Sequence, residues 1–192
     1  MEVPILLILL FLAAGSLLAA KPPLVPQEGG AGIIYAEGLV FSLTAPEGWV
    51  LDNHSGAGQG LPAVLYPQGA SWKEAPAVMY PTSDRKPASA HPLQDVIAET
   101  VEQYRAASPG LRIESLAPAP TGDARTAEVR KLSGETQGNV EAIAFVEEAD
   151  RVVLLILSAR SETGFAAALP AFRQLVGSYN YLSDQVLLPP KR

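Results

Sequence analysis

The 192-residue chain contains no cysteine. That one absence removes disulfide bridges, thiol nucleophiles, thiolate metal sites and lipid attachment through a cysteine. Histidine is almost as scarce, with His54 and His91 the two present. A histidine-based metal site needs two or three ligands in a defined arrangement, and no pair here stands at i, i+4 spacing. Asp52, Asn53 and His54 join His91 as a ligand set only if two loops meet, so both histidines are read as loop residues and no metal site is assigned. Basic residues number 14 against 20 acidic ones, a net charge of −6. Such a chain carries no electrostatic footprint for nucleic acid. A Gly-x-Ser-x-Gly elbow is missing, and residues 53–58 depart from it, which leaves a hydrolase as the least supported reading. The glycines at 56, 58 and 60 are followed by Leu61 and Pro62 rather than by a Lys-Ser/Thr pair opening a helix. No phosphate cradle is expected there. Neither catalytic residues nor a cofactor site are therefore assigned.

What the chain does have begins at its start. Residues 3–20 are apolar or small throughout and stop at Lys21, Pro22 and Pro23. This is the shape of a secretory signal cleaved after Ala20. It also lies at the lower limit of a retained membrane anchor. Both readings place the folded part outside the cytoplasm, periplasmic or extracellular, or anchored and facing outward. Contact with a membrane follows only if the anchor is kept. Residues 21–32, rich in proline and glycine, read as a spacer. Residues 33–182 then form one domain, of a size that supports its own core, and 183–192 a C-terminal tail.

Within the domain, Leu39, Phe41 and Leu43 alternate with Val40, Ser42 and Thr44 as a half-buried strand. Residues 46–48 turn the chain into a strand at 49–51, and 52–60 is a mobile loop by composition. Short strands are expected at 63–66 and 77–80, each ended by a proline, and 83–90 as a polar connection. Leu93, Val96, Ile97, Val101 and Tyr104 fall on one face of a helix over 92–108, begun by Pro92 and stopped by Pro109 and Gly110. Strands follow at 112–116 and 124–132, then a hairpin pairs 139–147 with 151–158. The core of that last strand, 152–157, is apolar on both faces and fits a central, doubly covered position. A final helix over 161–179 places Phe165, Leu169, Phe172, Val176 and Tyr179 in one stripe, with Pro170 expected to kink or divide it. Short turns between consecutive strands predict an antiparallel sheet, and two striped helices must bury themselves on it. The class is α+β, one antiparallel β-sheet sandwiched by helices.

Two stretches resemble the PsbP-like superfamily. One is Phe41 and Leu43 running into Ala45, Pro46, Glu47, Gly48 and Trp49. The other is the closing hairpin and its apolar strand ending in Ser158, Ala159 and Arg160, then Phe165, Pro170, Ala171, Phe172, Ser178 and Tyr179. The resemblance covers residues 39–182. It implies an α/β/α sandwich, an uncharacterised exported bacterial branch, and a role in docking on other proteins rather than in catalysis.

Aromatic residues supply the remaining candidates. Tyr35, Trp49, Tyr66, Trp72, Tyr80 and Tyr104 lie near strand ends, where amphipathic rings often line grooves or interfaces. Trp72, in the polar stretch 69–74, is the expected exposed anchor, with Tyr66 and Tyr80 beside it on a candidate interaction surface. Glu147, Glu148 and Asp150 read as a solvated hairpin tip. The sequence thus predicts an exported, non-enzymatic accessory or protein-interaction module, its partner another envelope protein. The alternative is an extracytoplasmic binding domain holding a small apolar ligand between sheet and helix.

Overall fold

The computed structural model describes residues 30–185. The leader or anchor expected over 1–20, most of the 21–32 spacer and most of the 183–192 tail lie outside the described residues. Strands β1 (Ala31–Ala36) and β2 (Leu39–Thr44) form a hairpin. Their tight turn uses Gly38 at φ +67°, backbone that glycine adopts without a Cβ clash. β3 (Trp49–Asp52), β4 (Val64–Pro67) and β5 (Ala77–Arg85) follow. Then come α1 (Pro92–Ala107), β6 (Arg112–Pro120), β7 (Thr126–Ser133), β8 (Val140–Glu147) and β9 (Arg151–Ala159). α2 (Glu162–Gly177) and β10 (Asn180–Ser183) complete the described chain.

Every strand pairing among the described residues is antiparallel. The strands divide into two sheets, a seven-stranded one ordered β3-β4-β5-β9-β8-β7-β6 and a three-stranded one ordered β1-β2-β10. The α+β class and its helical covering are as expected, whereas the second sheet was not. β10 is only four residues long, and its partner β2 comes from the other end of the chain. Neither feature leaves a local pattern.

β9 sits in the middle of the large sheet, and all nine of its residues are buried. Successive side chains on a strand point to opposite faces, and here both faces are apolar. Val153, Leu155 and Leu157 join Phe165, Ala168, Phe172, Leu175 and Val176 of α2 in one core, together with Ile34, Phe41 and Leu43 of the small sheet. Val152, Leu154 and Ile156 join Val96 and Ile97 of α1 in the other. The two helices therefore cover opposite faces, and no helix among the described residues is long and apolar enough to cross a membrane.

Prolines account for two local departures. β5 continues past Pro81 to Arg85, opposed to β9 along its whole length, with Pro81 facing Leu155. On its other side β5 meets β4 at one register position, Leu65 with Met79, so a proline is accommodated beside an open edge. Pro170 lies inside α2, which runs undivided from Glu162 to Gly177. Pro170 and Ala166, whose carbonyl it leaves without a helical donor, are both on the exposed side. Phe165 and Ala168 before it, and Phe172 and Leu175 after it, are buried and hold the two halves in line. Ser161 caps the helix by accepting the Gly164 amide at 3.1 Å.

Candidate functional site

The apolar stripe of α1 fills only part of the space between helix and sheet. Val96 and Ile97 pack tightly, but farther along Thr100, Gln103 and Tyr104 look into a hollow of about 460 Å³. Alternation along β5 sends Tyr80, Thr82 and Asp84 to this face, and alternation along β8 sends Glu141 and Ile143 there. Leu154 and Ile156 of β9 also line the hollow, and residues of the 135–139 and 59–61 loops complete it.

Its walls are mixed, mainly apolar surface with several carboxyl, amide and hydroxyl groups set into it. Glu141 is 4% exposed; its Oε2 accepts the Tyr104 hydroxyl at 2.6 Å, and the Ser158 side chain bonds it as well. Burial pushes the Glu141 carboxyl above its usual range against those two hydrogen bonds. Burial, reinforced by the charge of Glu141, pushes Glu135 up to about 8. Burial also raises Asp84, helped by Glu99 and opposed by Arg151. Tyr80 and Tyr104 are raised well above the usual phenol value, by burial first and then by Glu141. Among the described residues three carboxylates line the cavity and no Lys, Arg or His does. Such a site accepts hydrogen bonds and favours positive charge.

The aromatic candidates lie elsewhere than expected. Trp72 is 8% exposed and stacks edge-on against Tyr80, ring centroids 5.9 Å apart. It belongs to the core with Leu61, Val64 and Ala75, which corrects the reading of an exposed anchor. The polar neighbours that suggested exposure form turns, one with Gly69 at φ +80°, and these fold the indole inward. Tyr66 is also buried and donates to Asp52 Oδ2 at 2.9 Å. Tyr80 is buried beneath Trp72 and lines the cavity. Tyr104 lines it too, while Tyr35 is the exposed ring, at 62%.

Asp52 also organises the 52–60 loop. Its Oδ1 accepts the amides of His54 and Ser55 at 2.7 and 3.0 Å, and its Oδ2 the Ser55 hydroxyl at 2.6 Å. A single 3-10 turn follows, Ala57–Gln59, so a segment read as mobile from its composition is closely tied. His54 Nδ1 lies 2.5 Å from Asn53 Oδ1, and His91 precedes α1 without a side-chain capping bond. Neither lines the cavity, and among the described residues no three His, Cys, Asp or Glu side chains converge to hold a metal ion.

The hairpin tip requires a second correction, because Glu148 is buried. Its Oε1 accepts Arg125 Nη2 at 2.7 Å and the Tyr179 hydroxyl at 2.5 Å. Arg125 also bonds Asp123 and lies over the Tyr179 ring, 5.7 Å from its centroid. Asp123 Oδ2 accepts the Tyr181 amide at 3.1 Å. The cluster fastens the β6–β7 and β8–β9 turns to the start of β10. Glu141 and Glu135 were not singled out from sequence. The available signal was a carboxylate at position 141 interrupting the apolar run 140–146.

No family model matches the sequence, and no curated protein does. Among solved structures the chain is similar to the solution structure of cyanobacterial PsbP (CyanoP) from Synechocystis sp. PCC 6803. The identity is 14% and the TM-score 0.49, over 85% of this chain and 98% of that one.

Proposed function

We propose that the chain is an exported, non-enzymatic binding module of the PsbP-like kind, working outside the cytoplasm by holding a small ligand under α1. The observation that carries this reading is the cavity of about 460 Å³, within the usual range of small-molecule sites. Its walls supply carboxyl, phenol, amide and aliphatic groups without a histidine beside a hydroxyl, and the Thr100 hydroxyl is committed to the Val96 carbonyl at 2.8 Å. That inventory supports retention over nucleophilic turnover. The carboxylates along its wall also favour a polar ligand over the purely apolar one anticipated from sequence. Export is supported by the 3–20 apolar run. Fractionation with N-terminal sequencing tests it, and full-length soluble protein in the cytoplasm refutes it.

The test of binding is a ligand-observed NMR screen of the purified protein with a small-molecule library, repeated on Ala107→Trp. Ala107 is exposed and lines the cavity, so an indole there obstructs the cavity without entering a packed core. Saturable binding lost in Ala107→Trp, at an unchanged melting temperature, is the expected outcome. An empty screen, or hits indifferent to that variant, overturns the proposal.

A second reading, docking on another envelope protein, is favoured by the exposed apolar side chains of the small sheet's edge strands. These are Ile33 and Tyr35 on β1 and Tyr181 and Leu182 on β10. Crosslinking to a defined envelope partner that is lost in Tyr35→Glu, with folding intact, supports it. Crosslinking indifferent to that change refutes it.

A further inference from the structure

We infer that the cavity under α1 takes a small organic cation, an ammonium or guanidinium carried on a partly apolar body, with Glu141 as its principal counter-charge. The inference rests on the binding role proposed above and specifies its ligand. Its first support is an imbalance of charge. Elsewhere in the fold carboxylates sit beside cations: Glu147 with Lys86, Glu128 with Arg130, Glu162 with Lys131, and Asp123 and Glu148 with Arg125. Glu141, Glu135 and Asp84 line one cavity that no Lys, Arg or His among the described residues lines. Burying a carboxylate without a counter-charge is costly, and a bound cation would relieve that cost for Glu141 and Glu135, whereas Asp84 already feels Arg151.

Unused acceptors are the second support. Glu135 Oε1 and Gln59 Oε1 are both buried without a hydrogen-bond partner among the described residues, and both residues line the cavity. Buried acceptors in folded proteins are ordinarily satisfied, and an ammonium brings three donors. The tyrosines are the third. Tyr80 and Tyr104 line the same space, and aromatic rings attract cations while covering an apolar body. The carboxylates do not gather closely enough to hold a metal ion among the described residues. Their charge is spread along the wall, as an extended organic cation requires.

The groups acting on the site are Glu141, Glu135, Asp84, Tyr80 and Tyr104, with Glu99 and Arg151 acting on Asp84. In the empty cavity, burial and mutual repulsion favour the protonated carboxyls. An entering cation favours the ionised form, so binding near neutral pH releases a proton to solvent.

Isothermal titration at pH 7 with matched probes tests this. Phenethylammonium and 1,5-diaminopentane carry the charge, phenethyl alcohol replaces the ammonium by a hydroxyl, and 3-phenylpropionate reverses the sign. At least one ammonium probe should bind about tenfold or more tightly than the alcohol, the scale of one charged hydrogen bond. Its apparent enthalpy should vary with buffer ionisation enthalpy, showing proton release. Glu141→Gln, which retains an acceptor for Tyr104, should abolish the preference, and Glu135→Gln in the 135–139 loop provides a second variant. Equal binding of alcohol and ammonium, or a preference surviving both variants, overturns the inference and leaves the binding role intact. Failure of both ammonium probes while library ligands bind does the same. Failure of every ligand, library included, removes both.

Discussion

Arg125 neutralises a carboxylate that water barely reaches, so Arg125→Ala is expected to destabilise the fold well beyond an ordinary surface change. The Glu148 side chain is 6% exposed, and Arg125 is its ion-pair partner at 2.7 Å. Removing one member of a fully buried pair costs about 3–5 kcal/mol, because the other charge is left uncompensated. Arg125 is itself about one-third exposed, so solvent shares the task and about 2–3 kcal/mol is the better figure. For a domain of this size each kcal/mol shifts the melting temperature by about 2–4 °C. A calorimetric scan at pH 7 should therefore show a fall of about 5–10 °C. Adding Glu148→Gln removes the stranded charge and should restore at least half of that loss. The gap between wild type and Arg125→Ala should narrow in acid. Burial alone would raise Asp123, but hydrogen bonds from Arg125, Thr121 and the Tyr181 amide hold it well below its ordinary 3.8. A depressed carboxyl stabilises the fold above its unfolded value and loses that contribution as pH falls below it. A melting temperature for Arg125→Ala within about 2 °C of wild type, the range of neutral surface substitutions, would refute the argument.

Leu155, fully buried at the centre of β9, should cost about 3–5 kcal/mol in urea melts when changed to alanine. Leu155→Asp should leave no folded population, and a wild-type-like transition for it would deny β9 its central place. Trp72→Ala should cost about 3–5 kcal/mol as a core deletion, whereas Tyr35→Ala should stay within about 0.5 kcal/mol; the reverse order in thermal melts contradicts the burial described. Glu135, raised to about 8 from 4.5, keeps a proton in the folded chain that the unfolded chain has released. Its contribution is full below 4.5 and lost as pH rises to 8. After solvent screening the melting temperature should fall by about 2–4 °C across that window, and Glu135→Gln should flatten the decline.

What the sequence made legible follows from how local each signal is. β9 is written in six consecutive apolar residues, and α1 in a stripe repeating every three or four, so each could be located without its neighbours. The covering of the large sheet by a helix on either face followed from those stripes. Trp72 and Glu148 were placed on the surface because both are surrounded by polar residues. Their burial depends on what folds over them, the 69–74 turns in one case and Arg125 with Tyr179 in the other. β5 past Pro81 was hidden for a similar reason, since a proline is disruptive only where a neighbour needs its missing amide. The cavity leaves the weakest trace, because its volume is a difference between the bulk of α1 and the breadth of the sheet. Glu141 was its single written sign.

The pairing of β2 with β10 has a consequence for the order in which the chain becomes a protein. β2 is made before the other described strands except β1, but Val40, Phe41 and Ser42 meet their β10 partners only after the rest of the described fold has been made. Closing so long a loop is entropically slow, and the large sheet needs none of it, since its seven strands run from β3 to β9. A growing chain therefore passes through a stage in which that sheet is complete while one flank of β2 presents bare amides and carbonyls. Such a flank invites strand addition from any neighbour. β10, four residues made after every other described element, is a seal: a chain interrupted before Asn180 would hold the whole large sheet and yet be adhesive.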